Sequence, residues 1–303
     1  SHVQSDTYEK LAIALAKDGS SSEALIMLRK LVVDRSESPP LETFATLAHH
    51  PALRNEHEQV LACLSFAKVA GYQLERIGDI QDGKSLIASG VIAAEHLQQD
   101  LLAFRLLKAD TNGTICGLSP NVQRAATRVH RRAINKAVTD GEWKLAVKVL
   151  ELMISRQLKP SPWVWRNVVA CCAKAEKSRR ATGLLLDWVR LSQKGLAEKP
   201  PISVFNTCIN ACEMCNEEEL TLIVLDTMKE THETEGNLIT FNIALKRLAK
   251  LGNYPACEGI IIGMLQGEVE PSVVTYTTAI AACARAAVKQ PKIVYEWLRR
   301  MRS

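Results

Sequence analysis

A repeat of roughly 35 residues limits what this chain can fold into more than any other feature. Copies begin at Thr127, Pro162, Ile202, Leu238 and Val273, at intervals of 35, 40, 36 and 35 residues, and two weaker copies begin at Ser5 and Leu41. Self-similarity at this period implies one supersecondary unit per copy, stacked so that neighbours bury each other's apolar faces. Counted from each start, the fourth place is aromatic or histidine: Tyr8, Phe44, His130, Trp165, Phe205, Phe241 and Tyr276. The eleventh place is small or aliphatic, as Leu15, Ala137, Cys172, Cys212, Leu248 or Cys283. Gly19, Gly141 and Gly252 stand at place fifteen, where a first helix would stop on a left-handed residue. Place twenty is small (Ala24, Ala146, Ala181, Cys257), which lets a second helix approach the first. Place twenty-seven is large and apolar (Leu31, Met153, Trp188, Met228, Met264), and Pro160 and Pro271 at place thirty-four interrupt helical hydrogen bonding. The pattern predicts an all-α, right-handed solenoid, a superhelix of helix-turn-helix repeats. Residues 1–75 form two degenerate repeats, 76–122 an irregular helical linker, and 123–303 an array of about five repeats. Within the linker, Lys84–Leu97 and Gln99–Ala109 read as helices and Asp110–Pro120 as a loop.

No run of about eighteen apolar residues occurs, and mean hydropathy is near zero, so no membrane insertion is expected. The chain opens on Ser1 without a methionine, which leaves a preceding targeting segment open. Its net charge of +5 is unevenly spread: residues 121–200 carry 17 Lys and Arg against 6 Asp and Glu, while the flanking segments are slightly acidic. Such a block suits a polyanion, because each phosphate neutralised releases counterions; a solvated helix face is the plainer reading. The block includes Arg124, Arg128, Arg131, Arg132 and Lys136, then Lys174, Lys177, Arg179 and Arg180. Arg128, Arg131 and Asn135 recur on one helical face, and Lys177, Arg179 and Arg180 fall at a turn and the start of a second helix.

Nine cysteines without paired spacings fit a reducing compartment better than a disulfide framework. Cys208, Cys212 and Cys215 cluster, but Cys212 and Cys215 form a C-x-x-C without a second pair or a His pair to complete a zinc site, and Cys172, Cys212 and Cys283 fall at a repeat-core place. His49, His50 and His57 read as turn or surface residues. The sequence contains no phosphate-binding glycine loop, no G-x-S-x-G and no H-E-x-x-H, so neither an enzyme nor a cofactor or small-molecule substrate is expected.

With Ile239-Thr240-Phe241-Asn242, Gly252, Met264 and Glu270-Pro271-Ser272 in one copy and Val273-Val274-Thr275-Tyr276 opening the next, the chain resembles the pentatricopeptide-repeat family, of its plain 35-residue type. The likeness is strong over Thr127–Ser303, fair over Ser5–Glu75 and absent between them. Tetratricopeptide repeats are the runner-up family, with a 34-residue period and a different aromatic pattern. The resemblance implies binding of single-stranded RNA, one base per repeat, in a mitochondrion or chloroplast. In the family the fifth and last residues of a repeat contact the base edge, and the second residues of adjacent repeats sandwich the base. Carried over, Asn206 with Asn237 and Asn242 with Ser272 become pyrimidine-reading pairs, Thr277 a purine-type residue, and Ser203, Ile239 and Val274 the sandwiching residues. An amide or hydroxyl at the fifth place has the donor and acceptor that a base edge requires. Four copies depart from the pattern, with Arg131, Arg166, Glu9 and Ala45 at the fifth place; Ser161 and Pro201 close the two arginine copies. A guanidinium there grips phosphate or stacks but reads little sequence. At place thirteen, Lys17, Lys174, Lys250 and Arg285 stand where the family holds the RNA backbone, although a cation there also complements a helix C-terminus. Arg128, Arg131, Arg166, Lys174, Lys250 and Arg285 are the expected backbone contacts.

Three functions fit. One is an RNA-binding factor in RNA processing, stability or translation. The second is a structural subunit of an organellar ribonucleoprotein, touching rRNA and protein subunits. The third is a protein-only scaffold.

Overall fold

A computed structural model describes residues 2–74, 76–110, 113–232, 238–267, 269–286 and 291–302. Its helices come in pairs: α1 (His2–Asp18) and α2 (Ser21–Arg29); α3 (Leu41–Leu53) and α4 (His57–Val69); α5 (Gln81–His96) and α6 (Asp100–Leu107); α7 (Pro120–Thr139) and α8 (Trp143–Ser155). They continue as α9 (Pro162–Lys174) and α10 (Ser178–Gln193); α11 (Ile202–Cys215) and α12 (Glu218–His232); α13 (Leu238–Lys250) and α14 (Tyr254–Gln266); α15 (Val273–Arg285) and α16 (Pro291–Arg302). No strand occurs among the described residues, and the fold is an all-α solenoid of helical hairpins. The chain divides into two compact units, residues 1–136 with 148–160, and residues 137–147 with 161–303. Within the first, the hairpins α1/α2, α3/α4 and α5/α6 stack through α1, α3 and α5. Within the second, α9, α11, α13 and α15 pack in that order, with the second helix of each pair behind them.

The repeat places account for the core. Phe44, His130, Trp165, Phe205, Phe241 and Tyr276 at place four are buried. So are Ala137, Cys172, Cys212, Leu248 and Cys283 at place eleven, and Leu31, Met153, Trp188, Met228 and Met264 at place twenty-seven. Cys172 and Cys212 therefore serve as small core hydrophobes; burial pushes the Cys172 thiol up to about 11.

Place fifteen is left-handed in six hairpins although only three have glycine there. Gly19, Asn55, Gly141, Glu176, Asn216 and Gly252 all have positive φ. In each, the next residue's N–H reaches back to the place-eleven carbonyl, as in Ser20 to Leu15 (2.9 Å), Lys177 to Cys172 (3.0 Å) and Asn253 to Leu248 (3.0 Å). That bond is the longer arm of a Schellman cap and satisfies an orphan carbonyl of the first helix. Gly252 is needed twice over, because a Cβ there would come within 3.0 Å of the Arg285 carbonyl in the next hairpin.

One polar knot closes the first unit. The buried Arg156 guanidinium donates to the carbonyls of Leu107 (2.7 Å) and Asp110 (3.2 Å) and to His130 Nε2 (2.6 Å), while His130 Nδ1 donates to the Ala126 carbonyl (2.7 Å). Burial first, and the neighbouring Arg156 charge second among the lowering effects, hold His130 neutral with a pKa of about 4. The Asp110 carboxylate accepts from the backbone N–H groups of Ile115 (3.0 Å) and Cys116 (2.9 Å), shaping the turn that follows α6.

Candidate nucleic-acid interface

In the second unit the fifth-place residues are Arg166 on α9, Asn206 on α11, Asn242 on α13 and Thr277 on α15. The four helices pack side by side, so equivalent places repeat at the interaxial distance of packed helices, about 8–10 Å. Arg166 and Thr277 are exposed and the two asparagines half-buried, so all four side chains reach solvent.

A hydroxyl from the following hairpin holds each asparagine. Thr240 Oγ1 donates to Asn206 Oδ1 (2.5 Å), and Thr275 Oγ1 donates to Asn242 Oδ1 (2.8 Å). In the first unit Thr43 donates to the Glu9 carboxylate in the same way. These threonines stand at place three and are buried. The Nδ2 groups of Asn206 and Asn242 make no hydrogen bond among the described residues. Thr277 turns its proton back onto its own helix, at the carbonyls of Val273 (2.8 Å) and Val274 (3.1 Å), and presents lone pairs outward. Ser272 is the N-cap of α15: its Oγ accepts from the Thr275 N–H (3.3 Å) in a capping box, which engages the hydroxyl assigned to a base edge. Asn237 and the Ile239 side chain lie outside the described residues. Ser203 and Val274 are exposed at place two, and the same place on α9 holds Trp163, an exposed indole suited to stacking on a base.

The basic residues divide. In the first unit Arg128 grips the buried Glu95 carboxylate with two bonds (2.9 and 2.7 Å), and Arg132 bonds both Glu95 (3.0 Å) and Asp100 (2.7 Å). Burial pushes the Glu95 pKa up, but the hydrogen bonds from Arg128 and Arg132 outweigh it and hold the carboxyl below its ordinary range. Arg128 therefore ties α7 to α5, and its charge is matched within the fold. Arg131 is exposed beside it. In the second unit Arg179 pairs with Glu217 (2.9 Å). Lys250 donates to the buried Glu213 (2.9 Å), and Arg285 reaches the Ala249 carbonyl at the end of α13 (3.4 Å). Both place-thirteen cations thus clamp the preceding hairpin. Arg166 and Lys174 remain as exposed cations on α9. Among the described residues no three His, Cys, Asp or Glu side chains converge as a metal site.

No family model matches the chain. Over 183 residues, 60% of its length, it is 19% identical to a chloroplastic pentatricopeptide repeat-containing protein of Arabidopsis thaliana. The chain is thus similar to a protein of the pentatricopeptide-repeat family. It spans 35% of that relative's length. Among solved structures, 98% of this chain aligns with 44% of the maize pentatricopeptide repeat protein PPR10, at 18% identity and a TM-score of 0.45. A structure of PPR10 in complex with an 18-nucleotide psaJ RNA element aligns over 98% of the chain and 40% of that protein, at 15% identity and a TM-score of 0.38.

The sequence reading missed the place-three threonines and Trp163. Thr43, Thr240 and Thr275 recur at one place and so carried a signal, but a buried hydroxyl reads as a spacer until its partner in the next hairpin is known.

Proposed function

We propose that this chain is a pentatricopeptide-repeat protein that binds single-stranded RNA along the first helices of its second unit, in an organelle, as part of RNA processing, stability or translation. The observation that carries the proposal is the pair Asn206 and Asn242. They occupy one repeat place on adjacent packed helices, each with its amide oxygen held and its amide N–H groups unbonded among the described residues. Asn206 with Asn237 and Asn242 with Ser272 select pyrimidines, and Thr277 a purine. Ser203, Ile239 and Val274, joined by Trp163, flank the bases, while Arg166 and Lys174 contact phosphate. Arg128, Lys250 and Arg285 are assigned instead to holding helices together. The family's organellar character and the chloroplastic relative support the location.

A second reading, a subunit of an organellar ribonucleoprotein, draws on the second helices. Leu222 and Ile223 on α12, Ile262 and Leu265 on α14 and Tyr295 on α16 are exposed, apolar or aromatic side chains suited to a protein neighbour.

Fluorescence anisotropy with short homopolymeric RNAs tests the first reading. Uridine and cytidine oligomers should bind more tightly than adenosine oligomers, and Asn206→Ala with Asn242→Ala should erase that preference. Equal affinity of the native chain for all homopolymers would rule out base reading.

A further inference from the structure

One recurring bond joins each asparagine-bearing first helix of the second unit to the next, and it determines what those asparagines offer. Thr240 and Thr275 are fully buried, at 0% exposure, and each donates its hydroxyl proton to the Oδ1 of the preceding repeat's asparagine. At Thr275 the surrounding bonds leave that proton little choice. Thr275 Oγ1 accepts from the Ser272 backbone N–H (3.0 Å) and lies 3.0 Å from the Ser272 hydroxyl, whose oxygen in turn accepts from the Thr275 N–H. With the Ser272 hydroxyl proton also on Thr275 Oγ1, both lone pairs of that oxygen are occupied, and its own proton goes to Asn242 Oδ1. A planar amide held by its oxygen points its Nδ2 hydrogens elsewhere. Thr43 makes the same bond to Glu9, so the third-place donor recurs even where the fifth place is a carboxylate.

We infer that Thr240 and Thr275 are specificity-determining positioning residues, which lock the amides of Asn206 and Asn242 so that they present N–H donors alone. The inference rests on the RNA reading proposed above. A donor matches the O2 carbonyl that cytosine and uracil share. Guanine carries an amino group, itself a donor, on that side of its pairing edge, and adenine carries only a C–H. An amide free to flip would offer guanine its oxygen instead, and the discrimination would disappear. Ser272 then acts on specificity through Thr275, by filling the lone pairs that would otherwise let the amide turn over.

The test uses the whole chain and a randomised pool of short single-stranded RNAs, with the bound fraction sequenced. The native chain should give two adjacent pyrimidine columns. Thr275→Val keeps the shape of the buried side chain but removes its proton, and should lower the pyrimidine-over-purine ratio in one column about fivefold, the size of one net hydrogen bond. Thr240→Val should flatten the neighbouring column, and Thr275→Ser should restore the first. Should Thr275→Val fail to fold, Thr240→Val decides by the same readout. A loss of affinity for all sequences alike, with both columns intact, would mean that the threonines only hold the stack together; it would overturn this inference and leave the RNA reading in place. A native chain that selects no pyrimidine column would overturn both.

Discussion

Glu176 has a left-handed backbone, φ 57°, where three equivalent turns use glycine and two use asparagine. The left-handed conformation costs an ordinary L-residue about 1–2 kcal/mol, and the Glu176 side chain is exposed. Glu176→Gly removes that strain and adds back part of it as chain entropy, so a net gain of about 0.5–1 kcal/mol is expected. Scanning calorimetry should show the unfolding midpoint of the second unit rise by about 1–4 °C; a fall would contradict the left-handed assignment. His130 makes the opposite kind of exception, a polar ring at a place otherwise filled by Phe, Tyr or Trp. Its folded pKa of about 4 lies below the ordinary 6.5, so the unfolded chain binds its proton first. Stability from this residue is complete above pH 6.5 and lost as pH falls toward 4, by about 3 kcal/mol in all. Urea unfolding of native protein and His130→Phe at pH 7.5 and 5 checks this. The native chain should weaken more between the two conditions, and equal losses would show that His130 is protonated in the fold.

The helical hairpin was legible in the sequence because each copy reuses the same places. Place four, place eleven and place twenty-seven needed only their residue types to be read as core, and the cysteines followed. The left-handed turns at Asn55, Glu176 and Asn216 were not legible, since none has the glycine that signals such a turn. The pairing of cations was also hidden, for a physical reason: a charge count along the chain ignores which acids the fold brings to which bases. Arg128 and Arg132 belong to the basic block, but Glu95 and Asp100, which neutralise them, lie some thirty residues earlier. Between α5 and α7 this cluster is a strap, and its chemistry separates it from Arg166, the exposed arginine proposed to contact phosphate. Arg128→Ala should lower the stability of the first unit by about 1 kcal/mol, a value reduced by its half-exposed position and by Arg132 remaining on Glu95. RNA affinity should hardly change. Arg166→Ala should do the reverse, weakening every RNA sequence alike and leaving the unfolding midpoint unmoved. Denaturant unfolding and anisotropy on the same two variants decide it, and a drop in RNA affinity for Arg128→Ala would return that residue to the interface.

For the molecule as a whole, the same neutralisation limits how much affinity phosphate can supply. If the whole excess of the block in residues 121–200 met phosphate, the logarithm of the RNA association constant would fall against the logarithm of salt with a slope near −8, at about −0.7 per phosphate neutralised on a single strand. The structure occupies Arg128, Arg132 and Arg179 with carboxylates and buries Arg156. Arg166 and Lys174 are the exposed cations of the second unit assigned to phosphate, which predicts a slope of about −1.4. Affinity would then rest on base edges and stacking, and the preference for pyrimidines should persist at high salt while absolute binding falls only modestly. Titrating uridine and adenosine oligomers across a range of salt concentrations measures both quantities at once. A steep slope with a vanishing base preference would mean that the chain grips phosphate along its whole basic block, and that Asn206 and Asn242 are passengers in that contact.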